Sequence, residues 1–150
     1  MKNTRLLLSA IVVASSTPAA ADPSNVAFPI EFERGVHYGT VNRGNVREEL
    51  YTSRAAIEAA KAGKPMPVGT VITLVDYRDN VLFRYVVMEK RAGWGAGYAP
   101  DKRNGEWEYQ AFKADKSINT NENIDRCFSC HKSQEKADFV WSLDRMRGAP

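Results

Sequence analysis

Alternating and clustered hydrophobic residues mark several short stretches of the chain and predict an antiparallel β-sheet. Residues 69–77 are rich in β-branched side chains and are apolar on both alternating faces, which is typical of a central strand covered on each side. Residues 81–90 form a second such stretch, and the Asp79-Asn80 pair between the two favours a tight hairpin turn. Further stretches with strand-like alternation are residues 36–41, 49–52 and 107–112.

Two other segments show helix signals instead. Residues 54–62 are rich in helix formers, Ser53 before them is a good N-cap, and Gly63 after them ends the helix. From Arg126 onward, apolar residues recur at roughly helical spacing, which predicts a single terminal helix. These residues are Phe128, Phe139, Leu143 and Met146.

Together these elements predict an α+β domain, in which an antiparallel β-sheet is combined with a crossover helix and a C-terminal helix that opens on the cysteines. Residues 92–105 contain four glycines and predict a long loop. Residues 22–30 contain two prolines and little periodicity, which predicts a loosely held N-terminal arm. Because the chain shows no internal repeat and no interdomain linker, we expect residues 22–150 to form one domain.

The first 21 residues carry the three-part pattern of a secretory signal peptide. A basic start with Lys2 and Arg5 precedes an apolar run at residues 6–14, and small residues lead up to Ala21. The apolar run is too short to span a bilayer. We therefore expect cleavage after Ala21, export to a bacterial periplasm and no membrane attachment of the mature protein.

The net charge argues against binding to nucleic acids or to anionic lipid. Loss of Lys2 and Arg5 with the signal peptide lowers the formal net charge from +3 to +1. A nearly neutral domain has no electrostatic attraction for polyanions.

Both cysteines of the chain fall in one pentapeptide, Cys127-Phe128-Ser129-Cys130-His131, and several chemistries could use them. A structural zinc site needs four ligands. The chain offers the two cysteines, His131 and the distant His37, but the adjacent Cys130 and His131 fit poorly into one tetrahedron. A redox dithiol of the thioredoxin type lies in a βαβ unit, whereas this motif follows an antiparallel sheet. A disulfide across so short a loop would add little stability.

The fourth interpretation is covalent attachment of haem, for which C-x-x-C-H is the signature. A two-residue gap on a helical turn spaces two thiols to match the two vinyl groups of the porphyrin. The adjacent imidazole can then coordinate the iron. The motif therefore predicts a single haem c attached through Cys127 and Cys130, with His131 as the proximal ligand.

The function of such a haem depends on the other axial position of the iron, because a second protein ligand defines an electron carrier and an open position binds small molecules. Met146 follows His131 too closely to reach the opposite face, and Met88 lies in a predicted strand, where a core role is more common. The remaining candidates for a sixth ligand are Met66 and His37.

Three segments in combination resemble the cytochrome P-460 and cytochrome c′-beta superfamily. They are LYTSRAAIEAAKAGKPMPVGTVITLV at residues 50–75, GEWEYQAF at residues 105–112 and CFSCHKSQEKADFVW at residues 127–141. The similarity extends over residues 35–143. The resemblance implies a five-coordinate haem held by Cys127, Cys130 and His131, and it implies that homodimers are common.

The resemblance also separates two branches of the superfamily. In cytochrome P-460 a lysine from the strand after the GTV turn is joined to the porphyrin, and this link accompanies hydroxylamine oxidation. The corresponding position here is Leu74, and residues 65–89 contain no lysine. The cytochrome c′-beta branch instead has an uncrosslinked haem that binds nitric oxide beneath an apolar, often aromatic cap. Candidates for that cap are Phe32, Ile72, Leu74, Phe83 and Tyr85, and Glu122 and Asn123 could supply a polar distal group.

Three functions follow as hypotheses from these observations. The leading one is a periplasmic c-type haem protein that binds a small diatomic or nitrogenous ligand such as nitric oxide. The alternative is an enzyme that oxidises hydroxylamine or a related nitrogen compound. The third is a simple electron-transfer cytochrome, which would need a redox partner protein.

Overall fold

A computed structural model describes residues 24–150, which form an antiparallel sheet with helices on one of its faces. The signal-peptide prediction lies outside the described residues. Within residues 24–150 the sheet has five strands, which lie side by side in chain order. They are β1 (Val36–Arg43), β2 (Val46–Thr52), β3 (Val71–Arg78), β4 (Val81–Lys90) and β5 (Trp107–Lys113). The predicted α+β class is confirmed.

The β3–β4 hairpin forms where the sequence predicts it. Asp79 and Asn80 both have positive φ angles, of 49° and 63°, as a two-residue hairpin turn of type I′ requires. β3 is the central strand, and it is buried on both faces, since Ile72 and Val75 are 5% and 3% exposed.

The first helix, α1 (Arg54–Lys61), connects the neighbouring strands β2 and β3. Ser53 caps it, because the Ser53 hydroxyl accepts a hydrogen bond from the Ala56 amide at 3.2 Å. Gly63, with a φ of 65°, follows the helix in the left-handed region. Ala56, Ile57 and Ala60 form the buried side of α1.

The predicted single terminal helix was wrong. The structure has α2 (Asp125–Lys132), a 3₁₀ turn at Glu135–Ala137 and α3 (Leu143–Arg147). The chain leaves helical geometry at Asp138 and Phe139, whose φ angles are 51° and 61°. The apolar residues had helical spacing because both short helices pack against the same core, to which Phe128, Phe139 and Met146 all belong.

The sheet has two apolar faces, and each has its own cover. We call the face that carries Leu50, Ile72, Met88 and Tyr109 the helix face, because these residues share a core with α1, α2 and α3. We call the opposite face, which carries Val75, Tyr85, Val87 and Phe112, the arm face.

The N-terminal arm covers the arm face, so the prediction that it is loosely held was wrong. The backbone amide of Asn25 donates to the carboxylate of Glu108 at 2.8 Å, and Val26 is 3% exposed. The ring of Phe28 packs edge-on against Tyr85 and Phe112. The arm is ordered because it buries apolar surface that would otherwise face water.

No helix within residues 24–150 has the length and apolar character needed to cross a membrane.

Candidate functional site

His131 lies near the end of α2 and lines a cavity of about 330 Å³ between the helix face of the sheet and the chain that follows α2. On the sheet side of this cavity, two rows of paired side chains run across the strands. The first row is Leu50, Leu74 and Val86, and the second is Ile72, Met88 and Tyr109. The sheet wall of the cavity is therefore mostly aliphatic.

Polar groups form the rim of the same cavity. Arg43 and Glu48 form an ion pair there, with 2.6 Å between a guanidinium nitrogen and a carboxylate oxygen. Arg145 also lines the cavity, and within residues 24–150 its guanidinium makes no ion pair or hydrogen bond. Trp141 is 57% exposed, and its indole N–H donates to the carbonyl of Cys130 at 3.4 Å. The rim therefore has an excess of positive charge.

The imidazole of His131 is held in one tautomer by the backbone. Its Nδ1 lies 2.7 Å from the carbonyl oxygen of Phe139. A carbonyl only accepts, so Nδ1 carries the proton and the lone pair is on Nε2. Burial lowers the pKa of His131, although the hydrogen bond to Phe139 opposes this effect. The ring also packs against Tyr109, with 4.8 Å between centroids. A neutral, oriented imidazole with a free Nε2 is suited to metal ligation.

The turn that supplies the Phe139 carbonyl is strained. Asp138 and Phe139 are consecutive residues with left-handed backbone angles, and each such residue other than glycine costs ~1–3 kcal/mol. The contacts around the turn must therefore maintain it.

Cys127 and Cys130 lie on α2, about one turn apart, and both are free thiols. Burial raises the pKa of Cys127, and the charge of Glu122 raises it further, whereas Arg84 opposes the shift. A redox-active dithiol needs a lowered thiol pKa. Cys127 therefore lacks the environment of a thioredoxin-type nucleophile.

Two of the five predicted cap residues lie in the cavity with His131, and these are Ile72 and Leu74. Phe32 and Tyr85 lie instead on the arm face, where their ring centroids are 5.8 Å apart. Phe83 is 52% exposed and lies near the guanidinium groups of Arg78 and Arg84. The structure thus does not bring these three aromatic residues to His131.

A β-bulge explains why Tyr85 is on the other face. At the turn, Tyr77 pairs with Leu82, but Asp76 pairs with Arg84, so Phe83 is an extra residue in β4. In a hairpin of the same sequence without a bulge, Leu74 would pair with Tyr85 and would share its face. The bulge shifts the pairing by one, so Leu74 pairs with Val86, and a shift of one residue moves a side chain to the opposite face.

Glu122 and Asn123 do not line the cavity of His131 either. The carboxylate of Glu122 forms an ion pair with Arg84. The side-chain oxygen of Asn123 accepts a hydrogen bond from the Asp125 amide at 3.0 Å, at the start of α2. Both residues line a separate cavity, which Phe128 also lines.

The two candidates for a sixth ligand are also remote from this cavity. His37 is exposed, and its ring packs against Tyr51 on the arm face. Met66 is 3% exposed in the core and lines a different cavity, next to α1. Of the methionines within residues 24–150, Met88 is the one that lines the cavity with His131.

Sequence reasoning missed several residues of this site, notably Tyr109, Trp141, Ser142 and Arg145. The alternation in β5 could have placed Tyr109 on the same face as Trp107. Trp141, Ser142 and Arg145 reach the cavity only because the chain turns back after α2, and this reversal has no clear signal in the sequence.

Ser142 connects this returning chain to β1, and the connection should be sensitive to pH. The hydroxyl groups of Tyr38 and Ser142 are hydrogen-bonded at 2.8 Å. Burial raises the pKa of Tyr38 to about 12, although Ser142 and Arg145 oppose the shift. Because the pKa is higher in the folded than in the unfolded state, the stabilisation is present below pH ~10 and is lost as the pH rises towards 12.

We expect Tyr38→Phe to reduce the loss of stability at alkaline pH. Two pKa units correspond to about 3 kcal/mol, so the unfolding free energy of the parent should fall by that order between pH 10 and 12. The variant should be about 1 kcal/mol less stable at pH 8, where it lacks the hydrogen bond, and should show a shallower alkaline slope. Urea unfolding at several pH values measures both effects, and parallel pH profiles would contradict the prediction.

The comparison with protein families identifies the class of protein to which this site belongs. The family model for cytochrome P460 matches residues 31–142, a range that includes the whole sheet, α2 and Trp141. The chain therefore belongs to the cytochrome P460 family and is a haem-binding cytochrome. A comparison with curated proteins found no match.

The residues of α2 and of the cavity fit the haem that the family implies. α2 provides two free thiols, which do not line the cavity, and the cavity provides a neutral imidazole with an available Nε2 and an aliphatic wall. Within residues 24–150, no group of three or more His, Cys, Asp or Glu side chains is placed to hold a metal ion.

Proposed function

We propose that this protein is a periplasmic c-type cytochrome that binds a small ligand such as nitric oxide at an open iron site. One haem is attached through Cys127 and Cys130, and His131 is its proximal ligand. The observation that carries the proposal is the cavity beside His131, whose sheet wall consists mostly of aliphatic side chains. When bound, the haem supplies an iron that binds diatomic ligands reversibly.

Residues on α2 and residues around the cavity contribute separately to haem binding. The thiols of Cys127 and Cys130 anchor the cofactor to α2, and the hydrogen bond from His131 to Phe139 fixes the imidazole. The aliphatic wall excludes water from the apolar part of the porphyrin. At the rim, Arg145 is a cation without a partner within residues 24–150, and it suits a haem propionate because guanidinium and carboxylate groups form strong paired hydrogen bonds.

The position of Leu74 favours ligand binding over the enzymatic alternative. Leu74 lies in the cavity with His131, at the position where the resemblance to cytochrome P-460 would require a lysine. Lys90 lies on the same face but is engaged elsewhere, because its ammonium group donates to the carboxylate of Asp138 at 2.7 Å. Neither residue is placed to form a second covalent link.

An optical spectrum of the reduced protein tests the proposal. We expect a five-coordinate, high-spin ferrous haem that takes up carbon monoxide or nitric oxide rapidly. A six-coordinate, low-spin spectrum in both oxidation states would overturn the proposal and favour an electron carrier. Met88→Leu would then identify Met88 as the ligand if it restores the high-spin spectrum, with Met66→Leu as the matched control.

Turnover of hydroxylamine in the presence of an electron acceptor would also contradict the proposal, in favour of an enzyme. The small ligand is the partner that the cavity supports, whereas a redox partner protein and a homodimer stay predictions. Sedimentation of the purified protein measures its oligomeric state.

A further inference from the structure

The carboxylate of Asp138 joins the chain after α2 to three separate parts of the fold. One oxygen accepts from the Met66 backbone amide at 2.8 Å and from the Lys90 ammonium at 2.7 Å. The other accepts from the indole N–H of Trp107 at 3.4 Å. Trp107 is fully buried, and the Lys90 side chain is 11% exposed. These donors belong to the loop before β3, the end of β4 and the start of β5, so Asp138 is attached to the sheet.

Asp138 immediately precedes Phe139, whose carbonyl orients the imidazole of His131. Asp138 and Phe139 form the left-handed turn, and the Phe139 amide donates to the Gln134 carbonyl at 2.8 Å. The Phe139 carbonyl, on the other side of the same residue, accepts from Nδ1 of His131. A turn of two strained residues keeps its shape only when surrounding contacts determine it, and the contacts of Asp138 are the polar part of that support.

We propose that Asp138 is a positioning residue for the iron ligand, and that it acts through the Phe139 carbonyl. This inference rests on the proposed function, because His131 must bind the haem iron. By fixing the turn to the sheet, Asp138 keeps the Phe139 carbonyl at hydrogen-bonding distance from Nδ1. That hydrogen bond makes the imidazole a stronger electron donor, which strengthens the bond between iron and His131 and lowers the reduction potential.

Asp138→Asn tests this role with little change of shape. Asparagine tolerates the left-handed region as aspartate does, so the substitution removes the negative charge that Lys90 and the Met66 amide need but leaves the turn allowed. Lys90→Gln removes the partner from the other side. Asp144→Asn is the matched control, because Asp144 follows the same helix break but its side chain is 92% exposed.

The readout is the iron–histidine stretching frequency of the reduced holoprotein by resonance Raman spectroscopy, together with the reduction potential. We expect Asp138→Asn and Lys90→Gln to lower the frequency and raise the potential, with Asp144→Asn at parent values. In the nitric oxide complex, the equilibrium constant for retention of His131 on the iron should fall about tenfold, the lower end of the range for lost outer-shell partners.

The inference would be overturned by an unchanged frequency and potential in a folded Asp138→Asn holoprotein. If that variant yields no holoprotein, an unchanged frequency and potential in the Lys90→Gln holoprotein would overturn the inference instead. A loss of thermal stability alone would indicate a purely structural role. Absence of an iron–histidine band in the parent protein would instead refute the proposed function, so the two failures are distinguishable.

Discussion

Replacement of both Cys127 and Cys130 with alanine will give a protein that holds no covalent haem. In the parent, acid and organic solvent should leave the haem on the polypeptide, and the mass of the denatured chain should include one haem. In the double variant the same treatment should extract all of the haem, because α2 then has no thiol to bond to the porphyrin. Mass spectrometry and pyridine haemochrome spectra measure both quantities.

Ser129→Ala is the matched control for this experiment. Ser129 lies between the two cysteines on α2 and is exposed, and its hydroxyl donates to carbonyls of its own helix. Its replacement should leave the attachment intact. If the double cysteine variant still carried covalent haem, the link would have to run through another residue, and the enzymatic alternative would gain support.

The second large effect is expected at Trp107. Its side chain is fully buried in the core of the helix face, its indole N–H reaches Asp138, and the Lys90 ammonium lies 5.7 Å from its ring centroid. We expect Trp107→Ala to lower the free energy of unfolding by about 3–5 kcal/mol, the usual loss for a buried large aromatic side chain. Chemical denaturation measures it.

Trp141→Ala is the corresponding control, since Trp141 is 57% exposed. Its replacement should change the free energy of unfolding by less than about 1 kcal/mol. Similar losses for the two tryptophans would contradict the core that we describe.

The sequence predicted the features that depend on local patterns. The β3–β4 hairpin could be predicted because Asp79 and Asn80 accept positive φ angles and because the apolar stretches on either side are long. The ends of α1 could be predicted because capping by Ser53 and termination at Gly63 involve only neighbouring residues. The haem motif is local as well, since its two cysteines and its histidine lie within five residues.

The features that the sequence did not predict depend on distant partners. The helix break at Asp138 and Phe139 is stable only because Met66, Lys90 and Trp107 hold the Asp138 carboxylate. None of these partners lies near residue 138 in the chain. The N-terminal arm looked unstructured because its order comes from the arm face, which forms only when the sheet does.

The placement of the candidate cap residues also depends on a feature that the sequence does not reveal. Leu74 was expected to share its surroundings with Tyr85, as a hairpin without a bulge would require. The position of the bulge depends on the pairing of β3 with β4, and the identity of Phe83 does not reveal it. A residue list drawn from the sequence therefore mixed the two faces of the sheet.

The bulge at Phe83 also determines which side chains of β4 face the cavity. Deletion of this one residue would remove the bulge but would leave Leu74 paired with Val86, so the two faces of the rest of β4 would stay as they are. A shift of the present sequence to the regular register would instead pair Leu74 with Tyr85, and Tyr85 and Val87 would turn towards His131 in place of Val86 and Met88. The lining of the cavity thus depends on how β4 accommodates one extra residue, and the residues that bind the haem need not change.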